Sequence, residues 1–305
     1  MTTTKKKILV GVDDSERSYE TVRYVSKIPL FQKMEVVLFH VFHKIPEAYW
    51  DLETAKWRRG DGPQIGWRIK DARAWETERQ KKIQAFMEKA RQLLVDAGCP
   101  RDAVIIKVHE KKKGIARDIL SEAQRGSRAI AVGRRGMGKV KGLILGSVTT
   151  KLLEKVSFAP LHLIGKKSSP ERVLIALDGS AYSMRGVDYV GSCLGGSDFK
   201  VNLIHIIRGD EKQYVQQAKQ IITAIFDDAK NRLEKSGFKP SQVTTKIITG
   251  QESRADAIVR EARQSGYSTI VVGRKGLSKV EEFSIGRVSN KVVYLSKGLA
   301  VWVVN

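Results

Sequence analysis

The chain has 305 residues, 42% of them hydrophobic, and no apolar run approaches the roughly 18–20 residues that span a bilayer. Its first seven residues are polar and basic, and the apolar run after them soon meets Asp13 and Asp14, which argues against a signal peptide. We therefore expect a cytoplasmic protein that binds no membrane.

The formal charge of +22 comes from 55 Lys and Arg against 33 Asp and Glu, and it attracts polyanions such as nucleotides or nucleic acids. The basic residues are scattered over almost every predicted helix, and no RRM, zinc-finger or OB-fold signature directs them at bases. A solvated positive surface is favoured over specific nucleic-acid binding.

The two cysteines, Cys99 and Cys193, form no CxxC pair, and no histidines cluster with them at metal-ligand spacing. We expect two free thiols at the ends of helices and no metal bound directly by protein side chains.

The predicted elements of the first half alternate between strands and helices. The strands are short buried apolar runs near residues 8–13, 36–41, 104–108, 129–132 and 161–164. The helices are predicted near residues 15–27, 72–97, 115–125 and 147–156. Ser15 is expected to cap the first helix, and Gly98 ends the long one.

The second half repeats the first. Residues 6–25 match residues 171–190 at an offset of 165, and residues 119–153 match residues 258–293 at an offset near 140. The second set of strands is predicted near residues 173–178, 200–207, 243–248, 269–272 and 299–303. The second set of helices is predicted near residues 180–192, 211–236, 255–264 and 287–296.

Strands separated by helices require parallel pairing through right-handed crossovers. The sequence therefore predicts an α/β fold of two tandem parallel-sheet domains, residues 1–166 and 170–305, packed together because the linker is short. The change of offset places an insertion at about residues 45–69 of the first domain.

A glycine-rich loop follows the fourth predicted strand. Gly133 and Gly136 permit positive φ and a close backbone approach, and Gly146 with Ser147 opens a helix whose free N–H groups suit anionic oxygens. Loops beyond the carboxyl ends of parallel strands are where such folds bind ligands.

Side chains of the same loop add to this pattern. The hydroxyls of Ser147 and Thr149 are expected to donate to a ligand, while Arg134, Arg135 and Lys139 raise the local positive potential. The loop is neither a Walker sequence nor a GxGxxG after the first strand. The residues alone leave two interpretations open, a phosphate cradle and a tight connection between elements.

The glycine spacing resembles the G-x2-G-x9-G-[S/T] pattern of the universal stress protein family. The ends of the first predicted strands, VGVDDS and IALDGS, and the Ala159-Pro160 step before the last strand of the first half also fit it. The resemblance covers nearly the whole chain twice. It implies Rossmann-like domains of the adenine nucleotide α-hydrolase type, with strand order 3-2-1-4-5, paired through their last strands into an internal pseudo-dimer.

The resemblance also implies ATP as the ligand, with any Mg²⁺ bound through the phosphates. In the first domain it implies Asp13 and Val41 near the base and ribose. Around the phosphates it implies residues of the glycine loop and the helix after it, namely Gly133, Gly136, Gly146, Ser147, Val148 and Thr149.

The second domain departs from the pattern at one position, because Arg287 stands where the family has Ser or Thr. Its side chain would either fill the pocket or clasp a phosphate. Weakened binding is favoured. The corresponding candidate residues are Asp178, Ile206, Gly273, Gly276, Gly286, Arg287, Val288 and Ser289.

Catalytic motifs are not evident in the sequence. We find no Ser/His/Asp ordering and no SGGxDS loop, so slow ATP hydrolysis is the most that we expect. His40 and His205, at equivalent positions in the second strands, are expected to pack or to bond to the backbone. Asp13 and Asp14 point in different directions from an extended chain, which argues against a direct metal site.

The insertion is rich in aromatic and basic side chains. We favour a loop folded onto the long helix, while a partner-facing surface or a lid over the adenine end remain alternatives. Its members, with the tryptophan that follows it, are Trp50, Trp57, Arg58, Arg59, Trp67, Arg68 and Trp75.

The leading hypothesis is a non-enzymatic, ATP-responsive stress protein in which the nucleotide alters partner or homodimer contacts. The alternative is a charge-driven protein that contacts other proteins or nucleic acid and has degenerate pockets. A slow ATPase ranks third.

Overall fold

The computed structural model describes residues 6–44, 64–136, 144–166, 168–277 and 284–305, with side chains from residue 74 onward in the second range. The predictions for Trp50, Trp57, Arg58, Arg59 and Lys139 lie outside the described residues, as do those for the side chains of Trp67 and Arg68. Trp75 is 56% exposed, and the Arg79 guanidinium lies 5.2 Å from its ring centroid.

The first half contains the strands β1 (Lys7–Val12), β2 (Glu35–Phe42), β3 (Val104–Glu110), β4 (Ser127–Gly133) and β5 (Leu161–Ile164). Its helices are α1 (Glu16–Ser26), α2 (Pro29–Gln32), α3 (Gln64–Asp96), α4 (Ile115–Ala123) and α5 (Ser147–Lys155).

The second half contains the strands β6 (Arg172–Ala176), β7 (Lys200–Ile206), β8 (Val243–Ile248), β9 (Thr269–Gly273) and β10 (Ala300–Val304). Its helices are α6 (Ala181–Leu194), α7 (Lys212–Lys235), α8 (Arg254–Gln264) and α9 (Arg287–Leu295).

Helix boundaries confirm some predictions and correct others. The Ser15 side chain caps α1 by accepting from the N–H of Ser18, as predicted. Helix α3 begins eight residues before the predicted start and includes part of the predicted insertion, whose residues 64–71 contain no proline that would interrupt a helix. The short helix α2 was not predicted, and it begins at Pro29, whose fixed φ suits a first helical position.

The ten strands form one sheet in the order β3-β2-β1-β4-β5-β10-β9-β6-β7-β8. Each half therefore has the order 3-2-1-4-5, with parallel pairing inside it, as the family resemblance implied. The two halves meet where β5 and β10 pair antiparallel. Because β5 and β10 run in opposite directions, the strands of the first half have their carboxyl ends at one end of the sheet and those of the second half have theirs at the opposite end.

Each face of the sheet carries one apolar core that is continuous through both halves. Side chains of α1, α2, α3, α6 and α7 contribute to the first core, and those of α4, α5, α8 and α9 contribute to the second. The predicted packing of the two halves on each other is confirmed. Cys99 and Cys193 are buried free thiols, and burial raises the pKa of Cys193 to about 12, which keeps its thiol protonated at neutral pH.

The centre of the join is a buried cluster of aromatic side chains. His162 of β5 and Trp302 of β10 lie opposite each other and stack with ring centroids 4.2 Å apart. Trp302 Nε1 donates to the Tyr24 hydroxyl at 2.9 Å, and that hydroxyl also bonds to Thr269 at 2.8 Å. His162 Nε2 forms a 2.8 Å hydrogen bond with the Tyr189 hydroxyl. Each half thus supplies a tyrosine to the last strand of the other.

No helix among the described residues is both long enough and apolar enough to cross a bilayer.

We predict that acid destabilises the protein partly through His162. Burial lowers the pKa of this imidazole to about 3, whereas the unfolded chain protonates it below about pH 6.5. Its contribution to stability is therefore complete above that pH and is lost as the pH falls toward 3. His162→Gln removes the titration and should reduce the pH slope of the unfolding free energy by up to about 1.4 kcal/mol per pH unit.

Urea unfolding of both proteins between about pH 7 and about pH 5 measures these slopes. Identical slopes for the wild type and His162→Gln would show that the imidazole titrates normally in the folded protein.

Candidate functional site

The carboxylate of Asp13 is fixed where β1 ends. Its Oδ1 accepts from the Ser15 N–H at 3.2 Å, from the Ser18 hydroxyl at 2.6 Å and from the Ser15 hydroxyl. Its Oδ2 faces Gly136, where an added Cβ would overlap this oxygen. The aspartate at the end of β1 and the second glycine of the loop therefore form one packed unit.

The second half repeats this unit. The Ser180 N–H donates to Asp178 Oδ1 at 3.0 Å, and a Cβ at Gly276 would lie 2.6 Å from Asp178 Oδ2. Gly133 and Gly136 are not among the glycines with positive φ, so the positive φ that glycine permits is not used at these two positions. At Gly136 the need for glycine is steric and comes from the aspartate.

Helix α5 starts without a side-chain cap. Its N-cap is Gly146, and the first intrahelical bond runs from the Thr150 N–H to the Gly146 carbonyl at 2.9 Å. The N–H groups of Ser147, Val148 and Thr149 precede that bond and are the ones that a helix leaves without an intrahelical partner. They form the positive end of the helix dipole.

The hydroxyl of Thr149 has a structural role. It is buried and donates to the Gly133 carbonyl at 2.9 Å, which ties α5 to the end of β4. Ser289 makes the same bond to Gly273 at 2.6 Å in the second half. The expectation that the Thr149 hydroxyl donates to a ligand was therefore wrong, whereas the exposed Ser147 keeps its place at the helix start.

A cavity of about 370 Å³ opens between the starts of α4 and α5. Ser147 and Val148 line it, whereas Asp13 and Val41 are not among its lining residues. Val41 is half-buried and packs against the core on the α4 and α5 side of the sheet. The remaining lining residues are His43, Lys111, Lys113, Gly114, Ile115, Ala116, Arg117 and Lys151.

The basic residues of this cavity were missed by the sequence analysis. A signal was present, because the run Lys-Lys-Lys-Gly at residues 111–114 follows the third predicted strand directly. Within a chain of charge +22, that run resembled a solvated surface segment.

Asp118 holds the backbone of this basic loop. Asp118 is 6% exposed, and its carboxylate accepts from the N–H groups of Lys112 at 2.9 Å, Lys113 at 3.1 Å and Gly114 at 3.4 Å. Burial by itself raises the pKa of Asp118, but the bonds from these N–H groups outweigh it and hold the pKa below its ordinary value. The loop between β3 and α4 is thus fixed by main-chain contacts.

The two histidines of the second strands bond to the backbone, as predicted. His40 Nδ1 donates to the Val12 carbonyl at 3.1 Å, and His205 Nδ1 donates to the Leu177 carbonyl at 2.6 Å. Burial lowers the pKa of both imidazoles. Each neutral ring ties the end of the second strand of its half to the chain at the end of the first.

Arg134 lies inside the protein and does not face the cavity. It is 5% exposed, and its guanidinium donates to the Val293 carbonyl in the last turn of α9. Burial lowers its pKa to about 10, so it stays charged at neutral pH. The expectation that Arg134 raises the potential around the ligand was wrong.

The equivalent residue, Arg274, makes the reciprocal contact. Its Nη2 donates to the carbonyls of Leu153 at 2.6 Å and Glu154 at 3.3 Å, in the last turn of α5. Carbonyls at helix ends lack intrahelical donors and attract cations. Each glycine loop therefore stabilises the far end of the other half's helix.

The second candidate site differs in its side chains. Gly286 starts α9 without a side-chain cap, and Arg287 and Val288 are exposed at the helix start. Ile206 is buried, and its carbonyl accepts from Arg254 Nε at 3.4 Å. Helix α8, the counterpart of α4, is capped by the Ser253 side chain.

Within the described ranges, no three His, Cys, Asp or Glu side chains are grouped so that they could hold a metal ion.

The comparisons identify the family of this chain. The universal stress protein family model matches residues 5–161 and 170–305. Universal stress protein YxiE of Bacillus subtilis is 27% identical over 139 residues, which cover 41% of this chain and 93% of that protein. A universal stress protein of Mycolicibacterium smegmatis is 26% identical over 180 residues, which cover 58% of this chain and 55% of that protein.

A solved structure shares the overall fold. The crystal structure of a universal stress protein from Archaeoglobus fulgidus aligns with a TM-score of 0.60 at 20% identity, covering 99% of both chains.

We predict that Gly136→Ala destabilises the protein by about 1–3 kcal/mol, because the new methyl group displaces the Asp13 carboxylate. Gly146→Ala is the matched control. Its Cβ would lie 3.5 Å from the Arg135 Cα, an ordinary contact, so we expect a cost of about 0.5 kcal/mol from the weaker N-cap.

Chemical denaturation in a double-mutant cycle with Asp13→Ala measures the coupling between the two positions, for which we expect about 1 kcal/mol or more. Additive effects would contradict the steric explanation.

Proposed function

The chain belongs to the universal stress protein family, and from that membership and the geometry of the first half we propose that it binds ATP at the start of α5. The strongest support is the uncapped helix start at Gly146, whose N–H groups open beside a cavity with a basic lining. A cavity of about 370 Å³ is of the size that accommodates small ligands.

In this proposal the triphosphate lies against the backbone of Gly133, Gly136, Gly146 and the first turn of α5, Ser147, Val148 and Thr149. The base and ribose lie near Asp13 and Val41, at the ends of β1 and β2. The small residues fit the phosphates, because Gly146 brings no side chain to the helix start. Mg²⁺ would be held by the phosphates and would neutralise part of their charge.

We propose that residues 170–305 form the weaker site. Arg287 replaces the serine of the first half at the first helical position, and Asp178, Gly273, Gly276, Gly286, Val288 and Ser289 repeat the remaining pattern. A long cationic side chain restricts the space that a phosphate needs beside the first N–H groups.

The proposed role is that of a non-enzymatic, nucleotide-responsive stress protein of the cytoplasm. ATP alters contacts with a partner or a second copy only if it binds two conformations with different affinities. Contacts of the phosphates with the start of α5 that form in only one of the two conformations would supply such a difference.

Isothermal titration with ATP tests the site. We expect Ser147→Arg, which imports the arginine of the second half, to weaken ATP binding about tenfold or more. Ser157→Arg is the matched control, because Ser157 is an exposed serine just beyond the end of α5, and it should leave the affinity unchanged.

Equal ATP affinity of wild type and Ser147→Arg would place the nucleotide elsewhere. If the wild type bound no ATP but retained DNA in a salt-sensitive way, the charge-driven alternative would replace this proposal.

A further inference from the structure

We propose that the nucleotide site of the first half, of which this cavity forms one part, takes an adenine nucleotide with an additional phosphate on its ribose. This inference rests on the proposed function and names the ligand class of the same site. It comes from four basic side chains that line the cavity in addition to the helix start, namely Lys111, Lys113, Arg117 and Lys151.

These cations have no acidic partners among the residues that the structure describes. Within the described part of the chain, none of the four forms an ion pair with an Asp or Glu, and the Lys111 ammonium is hydrogen-bonded to the ring of His43. Nearby Lys107, outside the cavity, is by contrast paired with Glu122 at 2.7 Å. Unpaired like charges gathered in a concave site repel one another and attract an anionic ligand strongly.

The second half shows that the fold does not need these cations. By the alignment of β3 with β8 and α4 with α8, Lys113 corresponds to Glu252 and Arg117 to Asp256. Lys111 corresponds to Gly250. The same loop and helix form there with glycine or acidic residues at these three positions, so loop structure does not explain the basic residues of the first half. The second half has its own cation in this helix turn, Arg254 at the position of Ile115, but Arg254 donates to the Ile206 carbonyl at 3.4 Å.

The one cation retained in the second half is neutralised. Lys291, the counterpart of Lys151, donates to Asp256 Oδ2 at 2.6 Å and to the Ser253 hydroxyl at 3.0 Å. The four positions thus carry four positive charges in the first half, against one positive and two negative charges in the second. This difference indicates a ligand specific to the first half.

The cations belong to two separate walls of the cavity. Lys151 lies one turn beyond Ser147 on α5, where the 5′ phosphates are proposed to bind. Lys111 and Lys113 lie on the loop after β3, and Arg117 lies in the first turn of α4. A 5′ phosphate chain bound at α5 neutralises the cation of the first wall and leaves the cations of the second wall without an anion.

The strand order places the ribose between these walls. The carboxyl ends of β2 and β1 lie between those of β3 and β4 in the sheet. A nucleoside at the ends of β1 and β2 therefore has the start of α5 on one side and the β3–α4 loop on the other. The second anion then belongs on the ribose, and not at the end of a longer 5′ chain. Because Asp118 already fixes the backbone between β3 and α4, ligand binding loses less free energy in ordering this loop.

Isothermal titration of the full chain with AMP, adenosine 3′,5′-bisphosphate and adenosine 2′,5′-bisphosphate tests the inference. We expect one bisphosphate to bind about tenfold or more tightly than AMP, because charge-assisted bonds to Lys113 and Arg117 are added. Lys113→Glu and Arg117→Asp import the residues of the second half. Each of these substitutions should reduce the ratio of the bisphosphate affinity to the AMP affinity to about one.

Lys112→Glu is the matched control. It makes the same charge change on the same loop, but Lys112 does not line the cavity, so the ratio should stay near the wild-type value. Circular dichroism melting of each variant checks that it is folded.

Three results would overturn the inference while leaving ATP binding intact. The first is that neither bisphosphate binds more tightly than AMP. The second is that Lys112→Glu lowers the ratio of bisphosphate affinity to AMP affinity as much as Lys113→Glu does. The third is that adenosine 5′-tetraphosphate exceeds ATP in affinity by the same factor as the bisphosphate exceeds AMP. If no adenine nucleotide bound at all, the proposed function itself would fail, and this inference with it.

Discussion

The last strand of each half would by itself leave an open sheet edge, and the chain closes both edges by pairing β5 with β10. His162 and Trp302 lie opposite each other in that pair and are fully buried, each bonded to a tyrosine of the other half. Because the pairing is antiparallel, the strands of the two halves run in opposite directions, and their carboxyl ends lie at opposite ends of the sheet. The continuous cores and the separation of the two candidate sites both follow from this join.

A duplication held within one chain lets the two copies diverge at their sites while the join is kept. Arg134 and Arg274 remain in both halves, because each supplies a donor to the last turn of the helix that starts at the other half's site. The two halves differ instead in the charges of the side chains around their sites. The first half carries unpaired cations at Lys113 and Arg117, where the second half has Glu252 and Asp256.

The sequence predicted the features that depend on local pattern. Buried apolar runs located the strands, and Ser15 marked the start of a helix. The family resemblance supplied the strand order. Contacts between distant segments were not predictable in this way. Position 136 requires glycine because the Asp13 carboxylate leaves no room for a Cβ. The sequence suggested that Arg134 contacts the ligand, whereas in the structure it is buried and donates to a carbonyl of α9. Helix α3 extends into a segment whose composition resembled an insertion loop.

The most direct test of the nucleotide site is a crystal structure of the full chain grown with a saturating, non-hydrolysable ATP analogue. We predict phosphate density within hydrogen-bond distance of the Ser147 and Val148 N–H groups, with weaker or no density at Arg287. Nucleotide bound elsewhere, or a start of α5 covered by the protein's own side chains in a crystal that contains excess ligand, would contradict the central claim.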